Sequence, residues 1–99
     1  MALLRQEFPG RQALREQVSS LAVAPIDVEG SLRLEAEGPR AEVRERVPVE
    51  AMVEDVDGVT IHVLLHVVDG LMSELEIYKD DLKAPRRELS PDDFRLVVF

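Results

Sequence analysis

Two histidines, His62 and His66, stand four residues apart, and two glutamates, Glu74 and Glu76, follow a short way down the chain. Imidazole and carboxylate at such range can ligate a metal or move a proton. On a helix, H-x-x-x-H turns both rings to one face, where a single zinc could join them. Residues 59–68 read V-T-I-H-V-L-L-H-V-V, however, a β-branched and aliphatic run that forms a strand. Four residues of strand cover about 13 Å, and zinc bonds its ligands at about 2 Å. A zinc shared by the two rings is excluded, and no metal is expected.

The better pair is His62 with Glu76, since a carboxylate beside an imidazole can raise its pKa and orient it as a general base. On an exposed sheet face the same pair is an ion pair contributing a few tenths of a kcal/mol at most, roughly. No nucleophile or glycine-rich phosphate loop accompanies it. Ser73 falls on the expected core face, and Thr60 is β-branched strand filler. Glu74 and Glu76 lie about 7 Å apart along one strand face, a spacing that glycosidase carboxylates use. One tyrosine and no tryptophan offer no sugar platform. His62 and Glu76 remain weak catalytic candidates, and no cofactor is implied.

The elements that position these residues are announced by a tripeptide used twice. Val56-Asp57-Gly58 and Val68-Asp69-Gly70 each sit between apolar, β-branched runs. Asp-Gly in that setting marks a hairpin, because glycine takes a left-handed backbone without steric cost. The loop's parity then decides which side chains share a face. A two-residue Asp69-Gly70 loop would put Val63 and Leu65 with Glu74 and Glu76, mixing both faces. A three-residue loop with the glycine as a bulge pairs Val67 with Leu71, Val63 with Leu75 and Ile61 with Ile77. The same rule at the first turn pairs Val53 with Ile61, Ala51 with Val63 and Val49 with Leu65. The core face is then Val47, Val49, Ala51, Val53, Val59, Ile61, Val63, Leu65, Val67, Leu71, Leu75 and Ile77. The opposite face carries Glu50, Met52, Glu54, Thr60, His62, Leu64, His66, Met72, Glu74, Glu76 and Tyr78, with His62 between Met52 and Glu76.

Upstream, residues 9–21 predict a helix, with Pro9 at its start, Phe8 packing back as a staple, and Leu14, Val18 and Leu21 in one stripe. That stripe covers one sheet face. Residues 26–36 alternate as a strand, and residues 42–55 as a second, in which Pro48 argues for an edge or a bulge. Residues 59–67 and 71–79 are the third and fourth strands. Residues 80–88 form a polar loop. Ser90-Pro91-Asp92-Asp93 starts a single helical turn before a terminal strand or apolar tail. The expected fold is α+β: one N-terminal helix on an antiparallel sheet of four or five strands, mostly a meander, in one domain spanning residues 1–99.

With 20 acids against 12 bases the net charge is −8, a field that repels nucleic acid and anionic lipid. It suits a basic protein partner, although dispersed acids also serve solubility. No apolar run approaches 18 residues and the N-terminus meets charge too early for a signal peptide, so no membrane association is expected and a cytoplasmic location is. Without cysteine there is no disulfide framework or thiolate chemistry. Arginine outnumbers lysine and asparagine is absent, a composition typical of a GC-rich bacterial genome.

From Asp57 onward the chain resembles a family of small uncharacterised bacterial proteins. The matching residues are Asp57-Gly58, the apolar run to His66, residues 69–78 (D-G-L-M-S-E-L-E-I-Y), and the spaced Pro85, Leu89, Pro91 and Phe94. The resemblance covers the C-terminal half. It implies a single-domain α+β protein and carries no assigned activity or catalytic residue.

Clustered Met52, Leu64, Met72 and Tyr78, with His66 and Glu74 beside them, point to contact rather than catalysis, because methionine adapts to irregular partners and apolar surface patches mark interfaces. The expected function is a non-enzymatic interaction module using this outer face, as a homodimer or with a basic protein. The alternative is a small-molecule binding protein or hydrolase-like enzyme centred on His62 and Glu76.

Overall fold

The first Val-Asp-Gly turn closes as the sequence predicts. In the computed structural model, which describes residues 2–99, β3 (Val49–Glu54) and β4 (Thr60–Val68) pair with Val53 opposite Ile61, Ala51 opposite Val63 and Val49 opposite Leu65. Only Gly58 of this loop has positive φ, at 81°. The Asp57 carboxylate accepts the Val59 N–H at 3.1 Å, which fixes the turn from inside.

The second copy folds differently. Asp69 and Gly70 both have positive φ, 52° and 78°, the signature of a two-residue type I′ turn. Val68 therefore pairs with Leu71 and Val67 with Met72 at the start of β5 (Leu71–Lys79). A β-bulge then places Ser73 as an extra residue, so that His66 pairs with Glu74 and Leu65 with Leu75. The bulge restores the parity that a two-residue loop alone would spoil. Two corrections follow. Met72, expected on the outer face, is 1% exposed and belongs to the core. His62 faces Tyr78, while Glu76 faces Leu64, so the expected His62–Glu76 pair is not formed.

The turn type is set by what packs on it. The segment at Arg40 and Ala41 lies against Gly70, with the Ala41 N–H donating to the Gly70 carbonyl at 2.8 Å. Gln17, fully buried, donates from Nε2 to the carbonyls of Pro39 and Gly70, each at 2.8 Å, and accepts the Met72 N–H at 2.9 Å. One amide thus bonds three backbone groups, among them the Met72 N–H beside the bulge.

Six strands form one antiparallel sheet in the order β1-β2-β5-β4-β3-β6, where β1 is Ala22–Pro25, β2 Leu32–Glu35 and β6 Arg95–Val98. The α+β class is observed, with one more strand than expected. The extra strand arises because residues 26–36 do not run straight: Asp27 accepts the N–H groups of Glu29 and Ser31 at 3.1 and 3.0 Å, an Asx-type turn that folds β1 back on β2. Ile26 and Val28 consequently lie exposed. The β3–β4–β5 portion is the expected meander, but β2 joins it at β5. Pro48 immediately precedes β3, an internal strand flanked by β4 and β6, so it marks neither an edge nor a bulge.

The helix α1 is shorter than predicted, Arg11–Gln17, and tightens into a 3₁₀ turn over Val18–Ser20. Leu14 is fully buried while Val18 is 36% exposed, because the change of pitch rotates Val18 off the stripe and leaves Gln17 inward. Leu3, Leu4 and Leu14 close the core over Val49, Ala51, Val63, Leu65, Val67 and Met72. Leu89, Phe94 and Leu96 pack against the same cluster, so the C-terminal segment follows the helix side of the sheet. Pro91–Asp93 makes the single turn expected before the terminal strand. Among the described residues no helix is long and apolar enough to cross a membrane.

Candidate functional site

With α1 and the C-terminal segment on one side, the other sheet face carries the predicted residues in two clusters. Alternation along β3, β4 and β5 brings Glu50, Met52, His62, Leu64, His66, Glu74, Glu76 and Tyr78 to this surface. Strand β6 adds Arg95 and Val97 opposite Met52 and Glu50, and β2 adds Arg33 opposite Glu74. Most of these side chains are half-buried by one another.

The first cluster centres on His62. Its Nδ1 meets the Glu50 carboxylate across the β3–β4 ladder, and its Nε2 lies 2.7 Å from the Asp80 carboxylate just beyond β5. Tyr78 stacks on the imidazole with centroids 4.6 Å apart and planes within 10°. Burial opposes protonation of this ring, but the two carboxylates outweigh it and raise the pKa above 6.5. Burial and the surrounding carboxylates push the Tyr78 hydroxyl up as well. Both imidazole nitrogens are engaged, so the ring has no lone pair to offer a substrate. Asp80, more than half exposed, is the weaker arm of the bridge.

This geometry makes stability depend on pH. A group whose folded pKa is raised stabilises fully below its unfolded value and loses that contribution as pH climbs through the folded one. Wild-type protein should therefore lose a few degrees of Tm relative to His62→Gln as pH rises from about 6 to 9. Thermal melts of both proteins across that range check it, with the difference between the two curves isolating His62 from the remaining acids.

The second cluster centres on His66. Val67 lies one step past the last β3–β4 pair, Val49 with Leu65, and its N–H donates to the Arg46 carbonyl at 2.7 Å. That bond holds Arg46 over the end of β4, and its Nε–H donates to His66 Nδ1 at 3.0 Å. With Nδ1 accepting, Nε2 carries the proton and donates to Glu76 at 2.7 Å. Glu74, directly across the ladder from His66, brings a third donor: one ligand atom from each of His66, Glu74 and Glu76 lies within 4.8 Å of the others. Between the clusters, Glu45, Arg46, Val47, Glu50, Leu64 and Phe99 line a groove of about 650 Å³.

A third constellation lies on the core side, where sequence reading stopped one residue short. Lys79 is in phase with Leu75 and Ile77, and its side chain is completely buried. Its ammonium donates to Asp57 at 2.6 Å and lies 2.9 Å from Asp55. Asp55 also accepts the N–H groups of Val56 at 2.7 Å and Arg86 at 2.8 Å. Burial alone would raise its pKa, but the Arg86 N–H and the Lys79 ammonium bring it down to about 2. Extending the alternation from Ile77 by two residues would have placed this lysine inside.

The chain belongs to the family described as a domain of unknown function (DUF6984), which matches residues 1–88. The match takes in the N-terminal half, so the likeness is not confined to the C-terminal half. No match to the chain is found among curated proteins or among solved structures.

Proposed function

We propose that this member of a family of unknown function is a non-enzymatic interaction module whose outer sheet face receives a cationic protein surface. The observation that carries the reading is the composition of that face. Met52, Leu64 and Val97 lie on it among the carboxylates of Glu50, Glu54, Glu74 and Glu76, which outnumber Arg33 and Arg95 on the same face, on a chain of net charge −8. Apolar anchors within a charged surround are how interfaces combine affinity with selectivity. The groove beside Leu64 and Phe99 is large enough for one partner side chain. Two copies meeting through this face would oppose carboxylate to carboxylate, which costs rather than gains. Charge complementarity therefore favours a basic partner over a second copy.

The test uses a peptide of alternating arginine and leucine, followed by amide chemical-shift mapping of the full chain. Shifts confined to β3, β4 and β5, with affinity lowered about tenfold or more by Leu64→Asp, are expected. Shifts spread over both faces, or unchanged binding by Leu64→Asp, would overturn the reading. So would a stable dimer in light scattering that Leu64→Asp dissociates, since the occupant would then be a second copy.

A further inference from the structure

We propose that His66, Glu74 and Glu76 form a binding site for a single divalent transition cation of the zinc class. The site is distinct from the H-x-x-x-H pairing that strand geometry forbids, because its donors come from two adjacent strands. Pairing of β4 with β5 sets Glu74 opposite His66, and Glu76 lies one step further along the same face. Their ligand atoms lie within 4.8 Å of one another. A cation bonded at about 2.0–2.2 Å holds its donors roughly 3–4 Å apart, a spacing reached from here by small side-chain rotations. The rigid element beneath them is the bulge at Ser73, which aims Glu74 at the imidazole.

Two features separate this group from an ordinary acidic patch. Among the described residues the Glu74 carboxylate takes no hydrogen bond and no ion pair, although it is half-buried and close to a second carboxylate. A dication relieves that repulsion and supplies the missing partner. The imidazole also selects among cations: nitrogen with two carboxylates suits zinc, whereas magnesium and calcium prefer oxygen alone. Three protein donors leave at least one position open to water or to a further ligand.

Arg46 opposes binding. A neutral imidazole that gives Nε2 to a metal must carry its proton on Nδ1, yet Nδ1 now accepts from Arg46 Nε–H. The cation and the guanidinium cannot use this ring together. Metal binding therefore moves the single ring proton from Nε2 to Nδ1, with no net release from the imidazole, and displaces Arg46, which is anchored by its own carbonyl on Val67 and lines the groove.

Titration calorimetry of the full chain with zinc sulfate, at neutral pH and against a magnesium control, tests the site. One zinc per chain is expected, with no response to magnesium. Glu74→Gln should weaken zinc binding at least about tenfold without lowering the metal-free Tm, since no protein group depends on that carboxylate and its loss relieves the repulsion with Glu76. His66→Asn should abolish binding, and Arg46→Ala should tighten it by about tenfold, the scale of groups that orient a metal-bound histidine. Absence of saturable zinc binding would overturn the proposal, as would wild-type affinity in both Glu74→Gln and His66→Asn. Loss of binding in His62→Asn with retention in His66→Asn would do the same, placing the cation in the other cluster.

Discussion

Replacing Lys79 by methionine lowers Tm by more than about 10 °C, the largest effect expected of any single change at a charged position in this chain. The ammonium is completely buried between Asp55, itself without exposed side-chain surface, and Asp57. Methionine matches the lysine stem in shape but removes the charge, leaving Asp55 buried with only N–H donors around it. Removing one member of a buried ion pair costs far more than removing both. Lys79→Met combined with Asp55→Asn should therefore recover much of the loss, while Asp55→Asn alone leaves the ammonium to Asp57 and the more distant Asp81, at 3.9 Å. The pH dependence has a definite sign. Asp55 is held at about 2 against an ordinary 3.8, so its contribution is complete above about pH 4 and is lost as pH falls towards 2. Lys79 is raised above 10.5 by Asp57 and Asp55, so its contribution is complete below that value and is lost only as pH rises beyond it. Thermal melts at about pH 2.5, 7 and 11.5 check both arms; a Lys79→Met protein that melts like wild type at pH 7 contradicts the assignment.

That cluster also shows how the fold joins distant parts of the chain. Asp55 and Asp57 belong to the first Val-Asp-Gly turn, Lys79 ends the strand that leaves the second, and Arg86 lies in the polar loop beyond. Alternation in the sequence is enough to place every apolar residue of β3 and of β4 up to Val67 and to register the first hairpin, because both faces there keep a strict period of two. It also placed Glu74, Glu76 and Tyr78 on the outer face with His62 and His66. It failed where period two is broken. The bulge at Ser73 shifts each outer-face partner on β5 by two positions relative to β4, which sent Met72 inward and gave Glu76 to His66 instead of His62. Nothing within residues 67–75 announces that bulge. Its cause lies in Gln17, Arg40 and Ala41, which meet the hairpin from elsewhere in the chain. Turn chemistry at Asp27, by contrast, was present locally and divides β1 from β2.

Gly70→Ala should destabilise the protein by about 3 kcal/mol or more, whereas Gly58→Ala should cost about 1–2 kcal/mol. Both glycines occupy the left-handed region, φ 78° and 81°, so an added methyl carries the same conformational cost at each. Their surroundings differ. At Gly58 a Cβ meets nothing within 4 Å, but at Gly70 it falls 2.8 Å from Arg40 Cβ and 2.9 and 3.0 Å from the Ala41 carbonyl oxygen and nitrogen. Two of those three contacts are backbone, so relief requires the 39–41 segment to move. That movement breaks the Ala41–Gly70 hydrogen bond and draws Pro39 away from Gln17, the residue that also holds the Met72 N–H. The bulge then loses the contacts that favour it over the simpler three-residue loop. Gly70→Ala should consequently disturb the amides of His66 and Glu74, and weaken zinc binding if it folds, while Gly58→Ala leaves both unchanged. Denaturant unfolding supplies the energies and amide shifts supply the location. Equal costs at the two glycines would mean that the two copies of Val-Asp-Gly differ in backbone angles alone, and that packing from outside the hairpin does not select the turn.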